Sequence, residues 1–192
     1  AKLGLPVPPG FTISTKVCEY FYKNNKKIPK KVVNQTKKEI KKIEQITKKS
    51  FGDLTNPLLV SVRSGSRVSM PGMMDTILNL GLNDKTVVAL KNKTSNGRFA
   101  KDSYRRFIQM YSNVVLGMQS HLFEELIENF KLTKGVIQDT ELDEADWDGL
   151  IKNFKDIVKE KTKKNFPQDV NEQLWGAISA VFLSWNSKRA KT

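Results

Sequence analysis

The sequence is poor in the residues that build disulfide frameworks and zinc sites. Cysteine and histidine each occur once in 192 residues, as Cys18 and His121. A single cysteine excludes an intrachain disulfide, which fits a reducing compartment. His121 has no cysteine or histidine partners at ligand spacing, so no zinc site is indicated. We interpret Cys18 as a small buried hydrophobe and His121 as a surface or half-buried residue.

Long hydrophobic runs are also absent. No apolar run approaches the roughly 20 residues of a membrane-spanning helix, and the opening AKLGLPVPPG lacks the basic and apolar regions of a secretory signal. Hydrophobic residues make up 39% of the chain, and the mean hydropathy is −0.45. We therefore expect one globular domain, or part of a larger one, in the cytoplasm.

Acidic residues are too few to balance the basic ones, and the net charge is +13. Eleven lysines and two glutamates between Lys23 and Lys49 concentrate this charge, and Val33, Ile40, Ile43 and Ile46 recur among them at near-helical spacing. The pattern predicts an amphipathic helix after Pro29 with a solvated lysine face. A nucleic-acid site is the alternative, but the segment between Lys23 and Lys49 has neither arginine nor an aromatic residue.

The stretch from Asn56 to Asn83 begins as a strand and continues as a loop of small residues. The apolar run Leu58–Val62 is long enough for a buried strand. From Arg63 to Thr76 there is no helical or strand period, and two arginines, three serines and two glycines surround a Pro-Gly turn. Backbone N–H groups, hydroxyls and a planar guanidinium suit a phosphate-binding loop. A polar surface turn is the alternative, because the pattern is neither the Walker nor the dinucleotide motif.

The run VRSGSRVSMPGMMDTILNLGLN resembles the signature of the pyruvate, phosphate dikinase family, in its N-terminal ATP-grasp nucleotide-binding domain. Three further segments resemble that family in the same order: Gly4–Thr12, Phe51–Asp53 and Ala180–Trp185. Dikinases that act on water or glucans carry a shorter variant of the central run. The Met-Pro-Gly-Met-Met-Asp-Thr segment favours the pyruvate, phosphate enzyme.

The resemblance implies an activity and a site. The family converts ATP, phosphate and pyruvate into AMP, pyrophosphate and phosphoenolpyruvate through a phosphohistidine carrier, with magnesium. Its strand-end arginine, which contacts the ATP phosphates, corresponds to Arg63, and its second arginine corresponds to Arg67. The loop over the nucleotide corresponds to 70–76, which gives these further expected nucleotide contacts: Gly72, Met74, Asp75 and Thr76.

The resemblance also places much of the enzyme outside this chain. The family's glycine-glycine-lysine run belongs before Ala1, and its magnesium ligands, carrier histidine and pyruvate barrel belong beyond Thr192. We therefore expect a piece of the enzyme that is inactive alone, and no metal site is assigned within it. The expected partners are ATP and the other domains of the full-length chain, which is expected to be a homodimer, with no membrane partner.

The second half of the chain is predicted to be helical. Apolar stripes with helical spacing run from Tyr104 to Met118, Leu122 to Phe130, Trp147 to Val158 and Leu174 to Trp185. The predicted fold is α+β and mostly helical, with a short central sheet. Residues 1–100 form a strand-and-loop part with its phosphate loop at 63–76, and 101–192 form a helical layer. The alternatives are another phosphoenolpyruvate-linked dikinase and a non-enzymatic basic module that binds nucleic acid.

Overall fold

The computed structural model describes residues 7–65 and 76–185, which form a mostly helical α+β fold. These residues contain the following elements in chain order: α1 (Thr15–Lys23), α2 (Lys30–Thr47), β1 (Ser50–Phe51), β2 (Pro57–Leu58), β3 (Val60–Arg63), β4 (Thr76–Leu80), α3 (Thr86–Thr94), α4 (Gly97–Val114), α5 (His121–Lys134), α6 (Glu144–Thr162) and α7 (Val170–Ser184). A short 3-10 turn, Asp139–Glu141, lies between α5 and α6. None of the described helices is long and apolar enough to cross a membrane.

The strands form two small sheets. β1 and β2 are parallel, with Ser50 opposite Pro57, and β3 and β4 are antiparallel, with Arg63 opposite Thr76. The strand predicted at Leu58–Val62 is confirmed, but it is divided between the two sheets. The high β-propensity of Phe11, Thr12 and Ile13 predicts a short strand near the start of the chain. This prediction is wrong: the segment is irregular, and Phe11 is exposed. High β-propensity did not decide the conformation there, because no described strand lies beside it.

The second strand of the hairpin, β4, is absent from the sequence interpretation, and a β-bulge explains why. Val60 lies opposite Leu80, but Val62 lies opposite Ile77, so β4 has one extra residue. Asn79 takes a positive φ of 59° within this bulge. As a result Ile77 and Leu80, three positions apart, are both fully buried. A bulge breaks the period of two on which strand prediction depends.

The main core lies among the helices and the inner face of β4. Trp147, Leu150 and Phe154 of α6 are fully buried against α4, as the predicted stripes require. The start of α6 is a capping box, in which the Asp143 side chain accepts from the backbone N–H of Asp146 and the Asp146 side chain accepts from that of Asp143. The helices predicted in the second half of the chain are confirmed.

A second, smaller cluster joins the two ends of the chain. Cys18 and Phe21 of α1 and Ile40 of α2 pack against Leu174, Ile178 and Phe182 of α7. The predicted lysine-rich helix is confirmed as α2, which begins after Pro29 and exposes its lysines. Its apolar stripe is shorter than predicted, because Ile46 is 66% exposed.

Candidate functional site

The site is built at the open end of the β3–β4 hairpin. Arg63 ends β3, and Thr76 begins β4 directly opposite. Side chains of directly opposite residues lie on the same face of an antiparallel pair, with Cβ atoms about 5 Å apart. The neighbouring pair, Val62 and Ile77, therefore points to the other face, where Ile77 is fully buried in the main core. The exposed Arg63 guanidinium and the half-buried Thr76 hydroxyl share the face away from that core.

The far end of the hairpin is held by a buried amide. The Gln173 side chain on α7 accepts from the Gly81 N–H at 3.1 Å and donates to the Leu82 and Pro167 carbonyls, each at 2.9 Å. Gly81 has a positive φ of 106°, and a Cβ there would lie 2.9 Å from the Leu58 carbonyl oxygen. The turn therefore passes directly against the chain that leads into β3, which fixes the two strands relative to each other.

The approach to β2 is a turn organised by Asp53. Its Oδ1 accepts three hydrogen bonds at 2.7 Å, from the Asn56 N–H, the Thr55 N–H and the Thr55 hydroxyl. These bonds to the ionised form, led by that from the Asn56 N–H, lower the pKa of Asp53 below its usual value. Glu44 of α2 accepts from the Phe51 N–H at 2.8 Å, which ties this turn to the lysine-rich helix.

Beside the hairpin lies a cavity of about 750 Å³. Arg63, Ser64 and Gly65 supply polar groups to its lining, and Lys49, two residues beyond α2, adds a second cation. Much of the remaining wall is apolar and comes from the residues before α1, from α2 and from α7. The opening segment, the central strand and the closing segment that carry the family resemblance thus surround one cavity.

The structure tests only part of the predicted site. It places Arg63 and Thr76 opposite each other, although the sequence interpretation put no strand at Thr76. The remaining predicted contacts lie outside the described residues: Arg67, Gly72, Met74 and Asp75. Their roles stay predictions, as does the division of the chain at residue 100.

Two residues that organise the site were missed at the sequence level. Gln173 directly precedes the apolar stripe of the last predicted helix, and no local signal distinguishes a buried glutamine that binds a distant turn. Gly81 carries a weak signal, since a glycine between an apolar run and a polar turn is often at positive φ. Cys18 and His121 are found buried and exposed, respectively, as predicted.

The described residues contain no arrangement suited to a metal. Across 7–65 and 76–185, no group of three or more histidine, cysteine, aspartate or glutamate side chains is placed to hold an ion. Two buried tyrosines, Tyr104 and Tyr111, have a raised pKa because burial disfavours the phenolate. Tyr104 donates to Asp84 and accepts from Gln168 near the turn after β4, so it is a structural residue.

Comparison with known proteins gives a consistent result. The family described as "Pyruvate phosphate dikinase, AMP/ATP-binding domain" matches residues 26–190. Pyruvate, phosphate dikinase of Rhizobium meliloti (strain 1021) is 51% identical over 191 residues, which is 100% of this chain and 21% of that protein. The enzyme of Entamoeba histolytica is 51% identical over 189 residues, or 98% of this chain and 21% of its own length.

A chloroplastic relative shows the same relation. Pyruvate, phosphate dikinase of Flaveria pringlei is 48% identical over 190 residues, covering 99% of this chain and 20% of that protein. The chain thus spans about a fifth of the length of the curated relatives it matches.

Proposed function

This chain belongs to the pyruvate, phosphate dikinase AMP/ATP-binding family, and we propose that it forms one wall of the ATP site of such a dikinase. In this proposal the longer protein converts ATP, phosphate and pyruvate into AMP, pyrophosphate and phosphoenolpyruvate through a phosphohistidine. The chain is then part of an ATP-grasp domain. The 192 residues alone have no dikinase turnover, because the carrier histidine and the pyruvate site lie elsewhere in the polypeptide.

The observation that carries the proposal is the pairing of Arg63 with Thr76. A guanidinium donates two parallel hydrogen bonds to phosphate oxygens and stays charged at any working pH. A threonine hydroxyl on the same face can donate one more. Arg63 and Thr76 flank the segment that carries the family signature, and both can contact a phosphate bound at this end of the hairpin.

Arg63 acts in this proposal by electrostatic stabilisation and positioning. Phosphoryl transfer spreads negative charge over the oxygens of the transferred group, and a preorganised cation stabilises that charge more strongly than it stabilises bound ATP. The rigid turn at Gly81 and the buried Gln173 hold the strands that position Arg63. Preorganisation by the hairpin is therefore the contribution of this fold to the chemistry.

Magnesium belongs to the proposed reaction. The described residues do not fit a magnesium site, because no cluster of acidic side chains among them is placed to hold the ion. The longer enzyme is proposed to be a cytoplasmic homodimer. The exposed lysines of α2 serve as a solvated surface in this proposal.

The decisive experiment is Arg63→Ala in the full-length dikinase. Loss of one charged donor from a water-excluded site costs about 3 kcal/mol, or roughly a hundredfold in rate. Phosphoryl transfer between ATP and the carrier histidine should fall by that factor, whereas label exchange between pyruvate and phosphoenolpyruvate should stay near normal. Arg63→Lys should restore activity only in part, because a point charge cannot make the paired contact.

Arg106→Ala is the matched control. Arg106 lies on α4 with its side chain 62% exposed and pairs with Asp102 at 3.1 Å, so its removal should leave both half-reactions unchanged. If Arg63→Ala lowered both half-reactions together, Arg63 would be a folding residue. If it lowered neither, the loop would be an ordinary polar turn, and the proposed site would be wrong.

A further inference from the structure

The most exposed large hydrophobic side chains of the described residues lie at the carboxyl-terminal ends of two helices. Ile46, in the last turn of α2, is 66% exposed, and Leu132, in the last turn of α5, is 76% exposed. Ile137, three residues beyond α5, is 85% exposed. A single exposed aliphatic residue is ordinary on a protein surface. Ile46 and Leu132 differ from that case because each ends a row of like charges.

Each of these helices carries a row of three exposed side chains, four positions apart, in which two like charges precede the aliphatic residue. The rows are Lys38, Lys42 and Ile46 on α2, and Glu124, Glu128 and Leu132 on α5. Residues four apart on a helix lie one above the other and form a continuous ridge. The α2 ridge and the α5 ridge therefore have the same spacing and the same order, with charges of opposite sign.

The two ridges also lie in regions of opposite charge. The chain has eleven lysines and two glutamates between Lys23 and Lys49, but nine acidic residues and two lysines between Ser120 and Asp148. Both lysines of the acidic region pair with carboxylates of the same region. The potential is therefore positive at α2 and negative at α5, which favours the approach of these surfaces from different molecules. Because both ridges are exposed, they do not cover each other within one copy.

Helix packing gives the geometry of such a contact. Ridges of residues four apart lie alongside each other when two helices cross at about −50°, the commonest packing class. In the parallel direction each lysine of the α2 ridge faces a glutamate of the α5 ridge, and Ile46 faces Leu132. The opposite direction would set Ile46 against Glu124 and Lys38 against Leu132. The order of charges along the ridges thus selects one direction.

We propose that α2 of one copy of this chain docks in this parallel register on α5 of a second copy. The contact is heterologous, since the two copies contribute different surfaces. It goes beyond the proposed function, in which the lysines of α2 are solvated, because Lys38 and Lys42 gain a partner when two copies meet. It does not depend on the role of Arg63.

The contact is weak by its chemistry. Exposed ion pairs contribute little individually and are screened by salt. Lys42 and Glu128 also touch charges of their own helices, Glu39 and Lys131, each at 2.6 Å. Self-association should therefore appear at high protein concentration and should weaken about tenfold between about 0.05 M and about 0.5 M salt.

Sedimentation equilibrium of the 192-residue chain at low salt, up to about 1 mM protein, tests the proposal. Lys38→Glu with Lys42→Glu should weaken self-association about tenfold or more, and so should Glu124→Lys with Glu128→Lys. An equimolar mixture of these two double variants should associate again, because each supplies the ridge that the other lacks. Lys152→Glu with Lys159→Glu, at exposed positions of α6, changes the net charge as the α2 variant does. This matched control should associate as the parent chain does.

Two further variants test the apolar ends of the ridges without changing any charge. Ile46→Ser and Leu132→Ser should each weaken association about fivefold. Both positions are exposed, so their melting temperatures should match that of the parent chain.

Several results would overturn the proposal. A chain that stays monomeric at about 1 mM protein would show that the ridges do not bind each other. Unchanged association in either charge-reversed variant or in the two serine variants would assign the contact to another surface. A control that weakens association as much as the α2 variant would reduce the effect to net charge. A mixture of the two charge-reversed variants that stays monomeric would exclude the pairing of α2 with α5.

Discussion

The two hydrophobic clusters of this chain differ in completeness. In the helical cluster, Trp147, Phe123 and Phe154 are fully buried, and the rings of Phe123 and Phe154 meet at 4.8 Å. In the smaller cluster, Cys18 and Phe182 keep 6% exposure and border a cavity of about 750 Å³. The helical cluster is closed by residues of this chain. The smaller cluster is left open on the side that faces this cavity.

This difference has a consequence for mutational effects. A side chain enclosed on all sides loses many dispersion contacts when it is truncated, and the structure around it collapses only in part. A side chain that borders a cavity has fewer contacts to lose. The same substitution should therefore have unequal effects in the two clusters, and the difference should shrink if the cavity is filled.

The largest expected effect is on the helical cluster. Phe154→Ala should lower the free energy of unfolding by about 3–5 kcal/mol. Phe182→Ala, its counterpart in the open cluster, should cost roughly 1–2 kcal/mol in the 192-residue chain, because it leaves no new enclosed void. Urea unfolding of both variants measures the difference. Equal losses would contradict the contrast between the clusters, and a larger loss for Phe182→Ala in the full-length protein would sharpen it.

The next largest effect is expected at Gln173, the buried residue of α7 that binds the turn after β4. Gln173→Leu keeps an apolar body in place but leaves the buried Gly81 N–H and the Leu82 and Pro167 carbonyls without their partner. Such unsatisfied groups cost about 1–3 kcal/mol each when fully buried, so the loss of all three hydrogen bonds should cost about 3 kcal/mol or more. Faster hydrogen exchange at 76–82 in this variant should accompany the loss. Unchanged exchange there would mean that Gln173 does not hold the turn.

A glycine pair gives a smaller and more specific effect. Gly81 and Gly135 both have positive φ, but a Cβ on Gly81 would lie 2.9 Å from the Leu58 carbonyl oxygen, whereas a Cβ on Gly135 meets nothing within 4 Å. Gly135→Ala should cost about 1 kcal/mol from backbone strain alone. Gly81→Ala should cost more, since the clash adds to the strain. Thermal unfolding of the two variants provides the measurement, and equal shifts would exclude a close approach at Gly81.

The smallest effect depends on pH. The hydrogen bonds that Asp53 accepts lower its folded-state pKa below the ordinary value of 3.8. Its contribution to stability is therefore present above that pH and is lost as pH falls through the lowered pKa. Asp53→Asn should lower the melting temperature slightly at pH 7, and the difference from the parent chain should vanish well below pH 3.8. A difference that persists there would assign the effect to packing.

The sequence supports the helices better than the strands, for physical reasons. The stripes of α4, α6 and α7 extend over several turns, so a period of 3.6 residues is unambiguous. β1 and β2 have two residues each, which is too short for any period to appear. β4 is long enough, but the bulge at Asn79 places Ile77 and Leu80 on the same side, and its alternation is lost.

The candidate site was predictable only in part. Arg63 follows from the chemistry of a guanidinium after a buried strand, together with the family resemblance. The position of Thr76 opposite Arg63 depends on strand pairing across a twelve-residue connection, and local patterns carry no information about that register. Gln173 contacts Gly81 from 92 positions away, and such a distant contact has no signature near either residue.

The packing of α1 against α7 also determines when the smaller cluster can form during synthesis. The Tyr22 hydroxyl donates to the Phe182 carbonyl at 2.9 Å across 160 residues. Closing so long a loop carries an entropic cost that only late, cooperative contacts can offset. On a ribosome that adds 5–20 residues per second, α1 waits roughly 8 to 32 s for α7 to be synthesised. During that interval the apolar faces of α1 and α2 are exposed, and they are natural sites for a chaperone to bind.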